Sequence, residues 1–150
     1  LELRDVAVVA PKDDAGTVGL GRYGALATPL SAAALGERLA ALLPATSRGV
    51  ALAGDPDQEI RTIALLPGAG DSMLDEVIAI GVDAVLTSDL RHHVTQEAAM
   101  RGIVLYDAAH FATESPWMAR LAEVVTRELP SVQVSVSQLN TDPFTRVFMR

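Results

Sequence analysis

Cysteine is missing altogether from the 150 residues. Its absence removes a disulfide framework, a thiolate zinc ribbon and a thiol nucleophile together. Aromatic residues are scarce, at 4% of the chain, so a core has to be assembled from Ala, Val, Leu and Ile. Basic residues are outnumbered, with 12 Lys and Arg against 19 Asp and Glu for a formal charge of −7, and they form no block. A protein that grips nucleic acid through its phosphates needs a basic stripe, and none is present. No apolar run approaches the ~20 residues that span a bilayer. Leu1-Glu2-Leu3-Arg4-Asp5 lacks the regions of a signal peptide. The expectation is a cytoplasmic protein that binds neither nucleic acid nor membrane. The missing initiator Met points to a fragment or a processed product.

What remains is an apolar fraction of 49%, ample for the core of a single α/β domain. Asp5 to Ala10 reads as a short buried strand stopped by Pro11. Thr17 to Leu26, with Gly19, Gly21 and Gly24, reads as a bent or bulged strand. A helix follows, capped at Thr28-Pro29 or at Ser31, with Leu35, Leu39, Leu42 and Leu43 as its core stripe. Arg48 to Ala53 and Ile60 to Leu66 are expected strands.

Beyond Ile60 the order alternates. A helix over about Ser72 to Ile80 is closed by Gly81, and Asp83 to Thr87 is a buried strand. A helix over about His92 to Arg101 leads to the strand Ile103 to Tyr106. A last helix runs from Ser115-Pro116 to about Leu129, and Val132, Val134 and Val136 alternate with polar residues as in an edge strand. Alternating short apolar strands and helices predict a layered α/β fold, its strands mostly parallel over residues 60–136, with helices packed on the sheet. Ligands in such sheets bind beyond the carboxyl ends of the strands. Three polar clusters fall there: Gly68 to Ser72, Thr87 to His93, and Asp107 to Glu114.

Each cluster has a bland and a chemical reading. Gly68-Ala69-Gly70 resembles part of a dinucleotide fingerprint, but Met73 stands at the third glycine position and Asp71 would repel a pyrophosphate. A tight strand–helix turn is the favoured reading. In Thr87-Ser88-Asp89-Leu90-Arg91-His92-His93, Asp89 either caps the next helix or joins His92 or His93 in a pocket. Asp89, His92 and His93 are therefore candidate catalytic residues. His110 and Glu114 are four apart and share a face if Ala109 to Glu114 is helical. An imidazole beside a carboxylate can hold a divalent metal or move protons. Ser115-Pro116 supplies its own helix start, so Glu114 is not needed as a cap.

Four pieces in order carry a family resemblance: Gly19-Leu20-Gly21-Arg22-Tyr23-Gly24; Pro67-Gly68-Ala69-Gly70-Asp71-Ser72; Gly81 to Asp89 with His92-His93; and Asp107-Ala108-Ala109-His110-Phe111-Ala112-Thr113-Glu114. Together they resemble the carboxy-terminal half of the NGG-one-interacting-factor-three-like family, the GTP cyclohydrolase 1 type 2 homologues. The resemblance implies a single α/β domain that forms the carboxy-terminal lobe of a longer two-lobe protein. It implies two divalent metals (Zn, Fe, Mn or Mg) and a homo-oligomer built as a hexameric ring. It further implies a small-molecule, nucleotide-like substrate and metal ligation by His110 and Glu114. Ser88 departs from the glycine common in the family, and nothing here matches the His pair and Asp of the other half. The chain alone is then expected to carry part of a di-metal hydrolase-like site. The alternative is a non-catalytic binding or assembly module with a ligand pocket at the strand ends; a nucleotide-binding lobe comes third.

Overall fold

A computed structural model describes residues 1–149. Six strands form one sheet: β1 (Arg4–Pro11), β2 (Gly19–Ser31), β3 (Val50–Ala53), β4 (Glu59–Ala69), β5 (Ala84–Ser88) and β6 (Val104–Ala108), in spatial order β1-β2-β4-β5-β6-β3. The helices are α1 (Ala32–Leu42), α2 (Leu74–Ile80), α3 (His92–Met100), α4 (His110–Glu114) and α5 (Pro116–Glu128), with a 3₁₀ turn at Asp71–Met73 ahead of α2. β4, β5 and β6 are parallel neighbours joined through α2 and α3, as the alternation predicts. β1–β2, β2–β4 and β3–β6 pair antiparallel, so the fold is a mixed α/β sheet, parallel only at its centre.

Burial explains the order. All five residues of β5 are buried, the mark of a strand covered on both faces. Its Ala84 and Leu86 join a core with Leu35 and Leu39 of α1, and with Ile63, Val104 and Tyr106. Its Val85 joins the opposite core with Leu74 and Val77 of α2, Ala98 of α3, Leu66 and Leu105. Period-two alternation along β5 and β6 thus feeds two separate cores, α1 on one side and α2 with α3 on the other. Each fully buried Leu contributes about 1.5–3 kcal/mol.

Two polar ties fix the register. Asp83 Oδ2 accepts hydrogen bonds from the amides of Arg61 (2.9 Å) and Thr62 (2.8 Å) and from Thr62 Oγ1 (2.9 Å), pinning the start of β5 to β4. Tyr106 Oη, buried on β6, donates to the carbonyl of Ala32 at 2.7 Å, anchoring the first turn of α1. Burial pushes the Tyr106 phenol up to about 12, so it stays a donor. Gly36 lies over that ring, where a Cβ would come within 3.3 Å of it.

The structure corrects several local expectations. Ser31, not Thr28-Pro29, caps α1, its side chain accepting from the Ala34 amide, because β2 continues through Thr28 and Pro29. Residues 132–136 form no strand despite their alternation, since no strand among the described residues pairs with them. Ser115 does not cap α5 through its side chain; it is itself helical, at φ −59° and ψ −31°, and joins α4 to α5. No helix among the described residues is long and apolar enough to cross a membrane.

The Tyr106 tie is testable. Tyr106→Phe keeps the ring and removes one buried hydrogen bond, so urea unfolding should show a loss of about 0.5–1.5 kcal/mol with an unchanged m value. An unchanged midpoint would contradict the anchoring role.

Candidate metal centre

The carboxyl ends of β4, β5 and β6 lie side by side, and all three polar clusters meet there. After β6 the chain passes Ala109, extended at φ −63° and ψ 140°, and enters α4 directly with His110. One turn later Glu114 returns to the same face, and its Oε1 lies 3.2 Å from His110 Nε2. After β5 the chain turns sharply at Asp89, whose φ of 56° is left-handed, a conformation Asp tolerates better than most residues. That turn aims the carboxylate across to the start of α4, where Asp89 Oδ2 meets His110 Nδ1 at 2.6 Å.

Asp89, His110 and Glu114 therefore form a row, each half-exposed. Asp89 does not cap α3; the cap position is Arg91, without a side-chain bond. Arg91 instead reaches Asp71 at 2.8 Å. His92 and His93 stand exposed on the first turn of α3, their rings edge-to-face at 5.4 Å. His92 lines a separate hollow of about 420 Å³ with Leu90, Thr95 and Gln96. The structure brings Asp89 to His110 and Glu114 but leaves the His92-His93 pair elsewhere.

The β4 end is shaped to admit this row. Gly68, at φ 73°, passes so close that a Cβ there would sit 2.7 Å from Glu114 Oε1 and 3.1 Å from His110 Nε2. Its amide donates to Thr113 Oγ1 at 2.9 Å, and that hydroxyl donates to the His110 carbonyl at 2.9 Å. The Gly70 amide donates to the buried Thr87 Oγ1 at 2.8 Å, which in turn donates to the Gly68 carbonyl at 3.0 Å. A phosphate cradle needs free amides, and those of Gly68 and Gly70 are already engaged. The glycines serve a tight turn, as the sequence reading favoured. Neither the role of Thr113 nor the approach of Gly68 to His110 had a sequence signal, because both depend on contacts 42 or more positions apart along the chain (68 to 110 and 68 to 113).

Electrostatics follow from this placement. The hydrogen bond that the His110 ring donates to Asp89 raises the His110 pKa above its ordinary value, partial burial opposes the rise, and the Glu114 charge adds to it. Asp107, on β6, is pushed up by burial, while Arg48, 3.9 Å from its Oδ2, and the amides of Leu90 and Asp89 pull it back. Its buried Oδ1 has no hydrogen-bond partner among the described residues. His110 and Glu114 also line a cavity of about 870 Å³, walled by Leu43, Phe111 and Met118 and by residues after α5 such as Leu139.

The donors suit a divalent metal. Two ligands each about 2.0–2.2 Å from one tetrahedral metal lie roughly 3.4 Å apart, close to the 3.2 Å between Nε2 and Oε1. The missing Gly68 Cβ leaves room beside both atoms. Asp89 engages the opposite ring nitrogen, so it orients the imidazole and is not a third donor to the same point. No group of three or more metal-ligating side chains occurs among the described residues. Two donors fall short of the three or four of a stable site.

In the metal-free protein the folded His110 holds its proton to higher pH than the unfolded chain does. The Asp89–His110 pair thus stabilises fully below the ordinary histidine value of about 6.5, and that contribution is lost as pH rises through the raised folded value. An NMR titration of the His110 ring should place its midpoint above that of free histidine, and Asp89→Asn should bring it down. A wild-type midpoint at or below the free value would contradict the pairing.

Comparison with known proteins shows the family. A family model described as Duf34/NIF3 (NGG1p interacting factor 3) matches residues 1–143. The chain is 48% identical over 140 residues to a GTP cyclohydrolase 1 type 2 homolog of Streptomyces coelicolor, covering 90% of this chain and 49% of that protein. It is 41% identical to one from Mycobacterium leprae, covering 92% of this chain and 36% of that one. Among solved structures, a Bacillus cereus protein related to NIF3 superposes with a TM-score of 0.73 at 28% identity, over 86% of this chain and 36% of its own. The chain thus spans between about a third and a half of these relatives' length.

Proposed function

Because the chain belongs to the Duf34/NIF3 (NGG1p interacting factor 3) family, we propose that it forms the carboxy-terminal lobe of a di-metal, hydrolase-like protein, with His110 and Glu114 as metal ligands. One observation carries the reading: Asp89 occupies Nδ1 of His110 at 2.6 Å while Nε2 faces Glu114 Oε1 at 3.2 Å. A carboxylate on one imidazole nitrogen fixes the tautomer and ring orientation and makes the other nitrogen a better ligand. Asp89 keeps the proton on Nδ1, so the Nε2 lone pair points beside the Glu114 carboxylate. Thr113, bonded to the His110 carbonyl and the Gly68 amide, holds the helical turn that carries both ligands. A bound divalent pair (Zn, Fe, Mn or Mg) supplies Lewis-acid polarisation suited to hydrolysis.

The remaining donors lie outside this chain in the proposal, so activity belongs to the longer, cytoplasmic protein, assembled as a homo-oligomeric ring. The relatives' name points to a nucleotide-like substrate. With the Gly68 and Gly70 amides engaged, phosphate oxygens on such a substrate would rely on the metals. The second reading, a non-catalytic binding or assembly module, is favoured by the presence of only two convergent donors among the described residues.

Metal analysis of the full natural gene product separates the two. The wild type should carry divalent metal, His110→Ala/Glu114→Ala should lose it, and Asp89→Asn should weaken affinity by about 10–100-fold. Unchanged occupancy in the double variant would remove the ligand assignment. Metal-dependent hydrolysis of nucleotide or phosphate-ester substrates, lost in the same variant, would exclude the binding-module reading.

A further inference from the structure

Asp89 keeps its place against a local preference. Its φ of 56° is left-handed, a conformation that a residue with a side chain holds only when its surroundings enforce it. Support comes from Asp107 on the adjacent strand. Asp107 stands in register with Thr87 of β5 on one side and Ala51 of β3 on the other. The successive amides of Asp89 and Leu90 face its carboxylate. Consecutive amides around a left-handed residue form a concave nest that takes an anion, and here β6 supplies the anion. Only 19% of the Asp107 side chain is exposed, and its buried Oδ1 has no hydrogen-bond partner among the described residues. A carboxylate so desolvated is costly unless a neighbour compensates it. Arg48 does so from 3.9 Å, its guanidinium lying 4.8 Å from the centre of the Phe144 ring. The placement of β3 accounts for its arrival: Val50 pairs with Ala108, so the residues just before β3 come alongside the end of β6.

We propose that Asp107 is a positioning residue: its carboxylate fills the nest of the Asp89–Leu90 turn and thereby aims Asp89 at Nδ1 of His110. Packing alone does not account for a carboxylate at this point, since an apolar side chain would fill the space without the desolvation cost. Sheet pairing does not account for it either, because the ladder between β5 and β6 uses backbone groups only. Nor is Asp107 a partner of the ligand pair. Its ion pair runs to Arg48, whereas His110 pairs with Asp89 and Glu114. Asp107 acts through Asp89, and Arg48 holds it in charge balance while it does so. The proposal deepens the metal reading above, but the turn that it rests on exists without metal.

Proton NMR and amide exchange should be measured on the metal-free full natural gene product, and zinc affinity on the same protein. In the wild type the His110 ring proton on Nδ1, held by Asp89, should give a resolved downfield signal, and the Leu90 amide should be protected. Asp107→Ala should remove that signal and speed Leu90 exchange at least about tenfold, while Val85 and Leu105 in β5 and β6 stay protected. Asp107→Asn keeps one carbonyl acceptor and should restore part of both. Asp89→Asn should lose the ring signal yet leave the Leu90 amide slow, which gives the coupling its direction. Zinc affinity should fall about 10–100-fold in Asp107→Ala. It should fall no further in Asp89→Asn/Asp107→Ala than in Asp89→Asn alone. An unchanged ring signal and unchanged Leu90 exchange in Asp107→Ala would overturn the proposal. Additive losses of zinc affinity would do the same, because Asp107 would then act other than through Asp89. So would lost protection of β5 and β6, or unfolding, in both Asp107 variants, which would make the residue a general prop of the sheet. A wild type that binds no zinc but shows the ring-proton and amide changes would uphold the positioning and remove the metal reading instead.

Discussion

The hydrogen bond between Asp89 and His110 is the constraint on which the candidate site depends. It spans 2.6 Å between the end of β5 and the start of α4, and it exists only because β5 and β6 are parallel neighbours in register, Ser88 beside Ala108. One residue beyond that pair the chain turns left-handed at Asp89; two residues beyond it α4 begins at His110. A slip of one residue in either strand would turn that strand's side chains to the opposite face and separate the pair. The two cores on either side of β5 hold the register, so the chemistry at the rim is set by apolar packing several ångströms below it.

Small side chains and hydroxyls do the rest of the positioning. Gly68, at φ 73°, lets the end of β4 pass against His110 and Glu114, where a Cβ would be strained on the backbone and would displace the Glu114 carboxylate. Thr87 and Thr113 occupy the backbone amides of that turn, each hydroxyl accepting from one glycine and donating to a carbonyl. The result is a hydrogen-bonded shelf beneath two half-exposed candidate ligands. Support of this kind fits metal binding, for which ligand orientation matters as much as ligand identity. It also explains why a glycine-rich turn that looks nucleotide-like offers neither glycine amide, Gly68 or Gly70, to a phosphate.

Much of this was legible in the residues themselves. The buried runs at β5 and β6, the inward Leu35 and Leu39 of α1, the Gly81 stop and the shared face of His110 and Glu114 all follow from local periodicity and local backbone preference. Leu42, expected in the same stripe, is instead 57% exposed at the last turn of α1. Other features depend on distant contacts. β3 joins the sheet beside β6, antiparallel and far from its sequence neighbours. Asp89 serves a histidine 21 positions away and does not cap the helix that follows it. His92 and His93 sit at a strand end in sequence, yet α3 carries them out of the row. The alternation at residues 132–136 reads as a strand because its pattern is that of a strand, but pairing needs a partner edge, which periodicity alone does not supply.

The account makes His110 a ligand through Nε2, with Asp89 behind it and Glu114 beside it. Anomalous diffraction from crystals of the full natural gene product grown with manganese or zinc tests this most directly. The account predicts a peak about 2.0–2.3 Å from both His110 Nε2 and a Glu114 carboxylate oxygen, with Asp89 still bonded to Nδ1. A metal bound at Nδ1, or bound away from both residues, would contradict it.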